Sequence, residues 1–284
     1  MKSLDDCYTL QNGVRIPCIG LGTWQQKKDD DAIRIAVREA ILNGYRHIDT
    51  SPVHYNEKSV GLGIKESAVQ RENLFVTSKV WNTKRDYNET IDACDSSLQE
   101  MGLEYFDLYL IHWPNPVQYR NCWQEKNDET WKALEHLYST GKVRAIGLSN
   151  FMPHHIERLT EHAEIKPMVN QLHLNPCEVR TEAVEYCKDR NIIVEAYSPM
   201  ETGKIINLPE ILEIARKYSK SVAQISLRWS IQRGFLPLPK SVTVSKIIEN
   251  SHIFDFSIDE ESMRTINALN GRFGYSPHPD EVGF

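Results

Sequence analysis

Residues 16–24 read Ile16-Pro17-Cys18-Ile19-Gly20-Leu21-Gly22-Thr23-Trp24, and the choice between two fold classes turns on how that run ends. In a doubly wound open sheet the first strand leads through G-x-G-x-x-G straight into a helix, whose amides cradle a pyrophosphate. Here the third glycine is missing and no helix opens directly behind the other two. Downstream, short apolar runs alternate with longer amphipathic ones. The strand candidates are Ile16–Gly22, Arg46–Asp49, Leu74–Val80, Phe106–Trp113, Arg144–Asn150, Met168–Leu174, Ile192–Ser198 and Phe235–Ser241. All are short and rich in Val, Ile, Leu or aromatics, as strands buried on both faces are. Helical patterns lie between them: Asp30–Asn43, with Ile33, Val37, Ala40 and Ile41 on one face, then Tyr87–Met101 and Asp128–Thr140. Gly44, Gly102 and Gly141 stand just past those runs as stops. Eight such units in a chain of this size favour a (β/α)₈ TIM barrel. Tyr8–Pro17 reads as a hairpin around Asn12-Gly13, a type I′ turn signal, expected to plug the N-terminal end of the barrel. Asp259–Asn270 reads as an extra helix in a C-terminal tail, so residues 1–284 are expected to form one domain.

Composition narrows the function classes. The chain has 284 residues, 40% of them hydrophobic and 25% charged, with a net charge of -6. That is the balance of a globular protein with a sizeable core, and its acidity argues against a nucleic-acid binder. No run approaches the roughly 20 apolar residues of a membrane span, and the opening MKSLDDCYTL has no apolar leader core. Cys7, Cys18, Cys94, Cys122, Cys177 and Cys187 are scattered with no C-x-x-C pair, which points to a reducing cytoplasm. No ligand spacing such as H-E-x-x-H occurs, so no metal is expected.

In a barrel of this kind, side chains at the C-terminal strand ends face the reaction site. Those positions hold Asp49, Lys79, His112, Asn150, Gln171 and Lys240. Each alone has a plain structural reading. Asp49 can cap the next helix, Lys79 can be a surface lysine, and His112 a hydrogen-bonded core histidine. Together they read differently, because burying several ionisable groups without mutual pairing is costly.

The runs His47-Ile48-Asp49-Thr50, Thr77-Ser78-Lys79-Val80-Trp81, Ile111-His112-Trp113-Pro114, Gly147-Leu148-Ser149-Asn150-Phe151, Val169-Asn170-Gln171, Ala196-Tyr197-Ser198-Pro199 and Leu238-Pro239-Lys240-Ser241 resemble the aldo-keto reductases. The resemblance is nearest to the bacterial diketogluconate reductase and prostaglandin F synthase-like branch and covers nearly the whole chain. It implies a cytoplasmic, monomeric oxidoreductase that passes hydride from NADPH to an aldehyde or ketone, with NAD as an alternative cofactor. It implies catalytic roles for Asp49, Lys79 and His112. For the cofactor it implies Gly22 and Thr23, then Ser149, Asn150 and Gln171 on the carboxamide, with Tyr197 stacked on the nicotinamide. Lys240, Ser241, Val242, Thr243, Lys246, Glu249 and Asn250 are implied at the adenosine end. Lys246 stands where an arginine is common, and a lysine lacks the bidentate fork that grips a phosphate. Trp24, Val53, Trp81 and Trp113 are expected to line an apolar substrate pocket, under a loop at Pro114–Lys126.

The chain departs from the resemblance at the proton donor. The family pattern resembles D-T-A-x-x-Y-x-N-E, whereas this chain reads Asp49-Thr50-Ser51-Pro52-Val53-His54-Tyr55-Asn56-Glu57. Histidine thus takes the tyrosine position, and a tyrosine follows one place late. Three readings stand: His54 donates the proton, Pro52 reshapes the loop so that Tyr55 does, or carbonyl reduction is weak. In the last case the barrel binds its nucleotide for another reaction or as a sensor or interaction subunit. A cofactor-independent lyase or isomerase barrel is a further class, which would bind no NADPH. After Gln171 the family pattern N-Q-x-E-x-H-P is replaced by Asn170-Gln171-Leu172-His173-Leu174-Asn175-Pro176, with no catalytic role assigned to His173 or Asn175.

Overall fold

The computed structural model describes residues 1–24 and 31–284, and it begins with strands β1 (Cys7–Thr9) and β2 (Arg15–Pro17), paired antiparallel with Tyr8 opposite Ile16. Their loop is not the expected two-residue type I′ turn. Leu10 N–H donates to Val14 O at 2.8 Å, and Gly13 N–H donates to Leu10 O at 2.9 Å. Within this loop Gly13 takes a positive φ of 84° and Asn12 does not. This is a type I turn closed by a left-handed glycine, the three-residue hairpin solution. Asn12 instead uses its side chain, with Oδ1 accepting from Val14 N–H and Nδ2 donating to Arg144 O. The bond to Arg144 and those of Gln11 to Pro167 O and Asn191 O hold the hairpin across the strand starts. Leu10 and Ile16 join the apolar cluster of Phe75, Leu108, Ala145 and Val169 inside the barrel. The hairpin therefore plugs the N-terminal end.

The expected strand Ile16–Gly22 divides, because Pro17 has no N–H to continue a ladder. Its first residues belong to β2, and β3 is only Leu21–Gly22. The chain then alternates through α1 (Asp31–Leu42), β4 (His47–Asp49), α2 (Glu57–Glu66), β5 (Phe75–Val80), α3 (Tyr87–Met101), β6 (Leu108–Ile111), α4 (Trp123–Ser139), β7 (Ile146–Ser149), α5 (Pro153–Thr160), β8 (Val169–His173), α6 (Thr181–Asp189), β9 (Ile193–Tyr197), α7 (Pro209–Tyr218), α8 (Val222–Gln232), β10 (Leu236–Leu238), α9 (Val244–Ser251) and α10 (Glu260–Asn267). Strands β3 to β10 pair in parallel in chain order. Gly20 N–H to Pro237 O and Gly22 N–H to Pro239 O then bring the first strand against the last. The fold is the expected (β/α)₈ barrel. Asp30, the first residue of the expected first helix, lies outside the described residues. No described helix is long and apolar enough to cross a membrane.

Helix α4 starts at Trp123, five residues before the expected Asp128, which shortens the irregular segment after β6. Its first turns lack an apolar stripe because their inward residues, Asn127 and Thr130, bind the buried Arg85 guanidinium. Period-two alternation fixes what each strand points inward. Phe75, Thr77 and Lys79 share one face of β5, and Glu195 and Tyr197 share one face of β9. The hairpin end is accordingly apolar and the opposite end polar.

Helix α2 lies against α1 and α3 through glycines. A Cβ at Gly61 would stand 2.1 Å from the Met101 carbonyl oxygen, so backbone would have to move. Gly61→Ala is expected to destabilise the protein by about 2–3 kcal/mol, read as a lower urea midpoint with an unchanged slope.

Candidate active site

Asp49 ends β4 and Lys79 points inward from the neighbouring β5. Lys79 is 1% exposed. It donates to Asp49 Oδ1 at 2.8 Å, to Oδ2 at 2.7 Å and to Thr50 O at 3.0 Å. A buried charge survives only when paired and hydrogen-bonded in this way. Gln171 on β8 donates from Nε2 to Asp49 Oδ2 at 2.9 Å and to Glu195 Oε2 at 2.7 Å. Burial and the nearby Asp49 charge push the Glu195 carboxyl up to about 8. Beneath this layer His47 Nε2 lies 3.0 Å from Thr77 Oγ1.

The short turn Pro52–His54 decides which residue enters the site. His54 is buried, with Nδ1 3.3 Å from Thr23 Oγ1. Tyr55 closes the turn in the left-handed region at φ 56° and is 65% exposed. The histidine therefore stands in the site and the tyrosine outside it. Burial, and then the Lys79 charge, hold the His54 imidazole well below its ordinary value, so it is neutral near pH 7. Thr23 is fully buried. Its hydroxyl lies 3.0 Å from Asp49 O, and its carbonyl accepts from Asn56 Nδ2. Its side chain thus positions His54.

His112 follows β6 and is likewise held neutral, by burial first and then by Lys79 and His54. Its Nδ1 lies 3.2 Å from Ser51 Oγ, whose residue is fully buried. Ser51 Oγ meets no other described partner, so satisfying its hydrogen requires donation to Nδ1, which leaves the His112 hydrogen on Nε2. Ser51 and Glu195 are residues the sequence reading did not single out. The signal for Ser51 was its place at the alanine of the resembling pattern. Glu195 was an acid on an inward strand position.

Above His112, Trp81 packs edge-on at 4.9 Å. Phe284 stacks on Trp81 at 6.0 Å and meets Trp113 edge-on at 5.1 Å. Trp81, Trp113 and the last residue of the chain thus form one aromatic wall. Trp24 is 53% exposed at the end of the first described segment, and Val53 is half-buried in the Pro52–His54 turn.

Asn150, at φ 64°, donates from Nδ2 to His112 O and to Ser149 Oγ, and accepts from Tyr197 OH at 2.9 Å. Tyr197 is half-buried and keeps part of its ring open. Gln171 Oε1 has no hydrogen-bond partner among the described residues, while its Nε2 is engaged by Asp49 and Glu195. His173 Nδ1 lies 2.8 Å from Glu178 Oε2, and Asn175 Nδ2 donates to Glu201 Oε2 at 2.8 Å. His173 thus fastens the segment after β8, and with its Nε2 3.3 Å from Glu201 Oε2 it joins Asn175 in holding the segment after β9. Gly22 sits 3.1 Å, by its missing Cβ, from Leu238 O at the barrel seam. Lys240, Ser241, Val242, Thr243 and Lys246 line the rim at the start of α9, with Glu249 and Asn250 within it. Lys240 and Lys246 are exposed and form no ion pair among the described residues, leaving two cations available to an anion.

The family model described as "Aldo/keto reductase family" matches residues 18–271. The chain is 47% identical over 282 residues to the glyoxal reductase of Bacillus subtilis (strain 168), covering 99% of both chains. It is 46% identical over 268 residues to the 9,11-endoperoxide prostaglandin H2 reductase of Trypanosoma cruzi (strain CL Brener), covering 93% of this chain and 92% of that one. Among solved structures, a Bombyx mori aldo-keto reductase in complex with NADP superposes with a TM-score of 0.85 at 37% identity, covering 95% of this chain and 94% of that one.

The buried histidines make stability fall on the acid side. Burial lowers His47 to about 3 and His155 to about 4, and holds His54 and His112 well below their ordinary value. Below about pH 6.5 the unfolded chain binds protons that these four refuse, so stability is lost as pH falls. Glu195, raised to about 8, binds a proton in the folded state and offsets one of them; Glu57, also raised by burial, adds to the offset at the acid end. The expected loss between pH 6.5 and 5 is of the order of 2–4 kcal/mol per pH unit. His54→Gln should flatten that slope by about 1.4 kcal/mol per unit, measured by urea unfolding across the range.

Proposed function

The chain belongs to the aldo/keto reductase family, and from that premise we propose how its own residues carry the reaction and where it acts. It is an NADP-dependent oxidoreductase that reduces aldehydes and ketones to alcohols. The observation that carries the residue assignment is the Lys79–Asp49 pair set beside two neutral imidazoles at the strand ends.

When bound, NADPH supplies the hydride that reaches the carbonyl carbon. Its nicotinamide end is assigned to Ser149, Asn150, Gln171 and Tyr197. The open Gln171 acceptor suits a carboxamide N–H, and the Tyr197 ring suits a planar partner. Its phosphate-bearing end is assigned to Lys240, Ser241, Val242, Thr243, Lys246, Glu249 and Asn250, with the two unpaired lysines attracting the 2′-phosphate. Gly22 and Thr23 complete the assignment by closing the barrel seam and holding His54.

Two donors serve the substrate oxygen. His112, its hydrogen fixed on Nε2, donates a hydrogen bond as negative charge develops there. His54 is assigned the proton-donor place. Because Thr23 Oγ1 gives its own hydrogen to Asp49 O, the neutral ring keeps its hydrogen on Nδ1 towards Thr23, and His54 donates to the substrate only as the imidazolium, beside the Lys79 ammonium that Asp49 holds. Tyr55 has no part, which its exposure supports. Trp24, Val53, Trp81 and Trp113, with Phe284, bound an apolar pocket suited to a compact carbonyl compound. Glyoxal, on which the Bacillus subtilis relative is named to act, is the first substrate to try. The protein is assigned to the cytoplasm as a one-domain monomer over residues 1–284, with no nucleic-acid partner. Its six free thiols and net charge of -6 support that setting.

NADPH titration by fluorescence quenching, followed by NADPH absorbance decay with an aldehyde panel, tests the assignment. His54→Tyr should raise turnover about tenfold or more, in line with the usual worth of a matched general acid, whereas Tyr55→Phe should leave it within about twofold. Loss of turnover in Tyr55→Phe would transfer the donor role to the tyrosine. NADPH binding without consumption by any carbonyl would favour the sensor reading.

A further inference from the structure

The two imidazoles of the strand-end site are held in opposite tautomers. The Thr23 hydroxyl spends its hydrogen on Asp49 O at 3.0 Å, so Oγ1 can only accept from His54 Nδ1, 3.3 Å away. The neutral His54 ring therefore carries its hydrogen on Nδ1, and its Nε2 is bare. Ser51 Oγ gives its hydrogen to His112 Nδ1 at 3.2 Å, so that ring carries its own on Nε2. Neither Nε2 has a hydrogen-bond partner among the described residues, although His54 is buried and His112 half-buried. The charged group that acts on both rings is the Lys79 ammonium, and His54 in turn acts on His112.

The place assigned to the substrate oxygen thus offers one donor, from His112, and one acceptor, on His54. A carbonyl oxygen has only lone pairs, so it uses the donor while facing a bare nitrogen. A hydroxyl group uses both, accepting from His112 and donating to His54. In water a small aliphatic aldehyde is a mixture of free carbonyl and hydrate, so a site that takes the one meets the other. The hydrate carries two hydroxyls and keeps one hydrogen on its carbon. An alcohol fits the pair equally well, but its oxidation is the reverse of the reduction, whereas the hydrate leads to a different product.

We propose that this chain also oxidises aldehyde hydrates to carboxylic acids with NADP⁺, and so dismutates small aldehydes. His54 Nε2 takes a hydroxyl proton, the hydrogen on carbon leaves as hydride to NADP⁺, and that C–O bond becomes the carbonyl of the acid. The step leaves the acid, NADPH and an imidazolium at His54. Reduction of a second, unhydrated aldehyde consumes that hydride and that proton, and restores NADP⁺ and the neutral ring. The sum is two aldehydes and one water giving one acid and one alcohol, with no net change in the cofactor. Oxidation needs no charged histidine, so it runs on the form of His54 that prevails near pH 7. A tyrosine in the same place offers an O–H and no free base until it ionises, so the activity follows from the histidine. The proposal rests on the reading of this site as that of a carbonyl reductase and extends it to the second form of the same substrate.

Nitrogen NMR of the histidine-labelled, cofactor-free protein near pH 7 reads the premise. His54 should show a protonated Nδ1 and a bare Nε2, and His112 the reverse, each resonance assigned by its loss in His54→Gln or His112→Gln. The activity is tested with propionaldehyde and a trace of NADP⁺, where proton NMR should show propionate and propanol formed in equal amounts. His54→Phe should cut propionate formation about a hundredfold. His54→Tyr should lower it about tenfold while raising NADPH oxidation, a split that a merely structural role does not produce. NADPH oxidation by propionaldehyde with no propionate formed from NADP⁺ would overturn the proposal and leave the reductase reading standing, whereas no turnover in either direction would overturn both. A hydrogen on His54 Nε2 in the cofactor-free protein, or propionate formation unmoved in His54→Phe, would also overturn it.

Discussion

A lysine ammonium held out of water governs the strand-end layer. Lys79 is as buried as the aliphatic core around it, and without Asp49 and the Thr50 carbonyl that burial would cost several kcal/mol. The pair in turn sets the charge state of its neighbours. Burial first, and then the ammonium, keep both imidazoles neutral, and burial followed by the Asp49 charge discourages ionisation of Glu195 below. Gln171 places one amide between the two acids, giving each a donor where direct contact would be repulsive. Below the Lys79–Asp49 pair the buried groups are neutral near pH 7, with Glu195 raised to about 8 and His47 lowered to about 3 by burial.

The same layer is mechanically joined to the chain terminus. Trp81 touches His112 with one part of its surface and Phe284 with another. The tail that carries Phe284 is held by its Val282 and Phe284 carbonyls and by the buried Val282 side chain, while Phe284 itself is half exposed. The pocket wall thus rests largely on polar fastenings at Asp280, Val282 and Phe284. Such fastenings exchange more readily with water than a packed core does, so this wall is the easiest part of the site to rearrange around carbonyls of different size.

Much of this was legible in the sequence, and the limits have physical causes. Asp49, Lys79, His112 and Gln171 could be read because each ends or interrupts a short apolar run, and period-two alternation sends such residues inward. The plug could be read from Asn12-Gly13, although the turn type could not, since Asn12 is drawn into bonds with Val14 and Arg144 that no local rule contains. The start of α4 was hidden because its buried face is polar, organised around Arg85. Phe284 and Asp280 were invisible for a third reason. Trp81, Trp113, Asn115, His154 and His155, which they meet, lie more than a hundred residues earlier, and no periodicity links them. The choice between His54 and Tyr55 rested on one turn residue, the left-handed Tyr55 that points its own side chain outward.

That turn leaves a familiar cradle around a different acid, and the field of Lys79 acts unequally on the two chemistries. A phenol ionises to an anion, so a neighbouring ammonium lowers its pKa from about 10 towards neutrality, where a general acid works best. An imidazolium ionises to a neutral ring, so the same ammonium and the same burial lower its pKa away from neutrality. One environment therefore improves a tyrosine as a proton donor and removes the charged form of a histidine. His54 keeps its place by hydrogen bonding through Thr23 rather than by charge. With His54 as the proposed donor, the Lys79–Asp49 pair makes for slow protonation at neutral pH, quickening as acid restores the imidazolium. Under the proposed assignment, the hydrogen bond from His112 then carries a larger share of the stabilisation at the substrate oxygen.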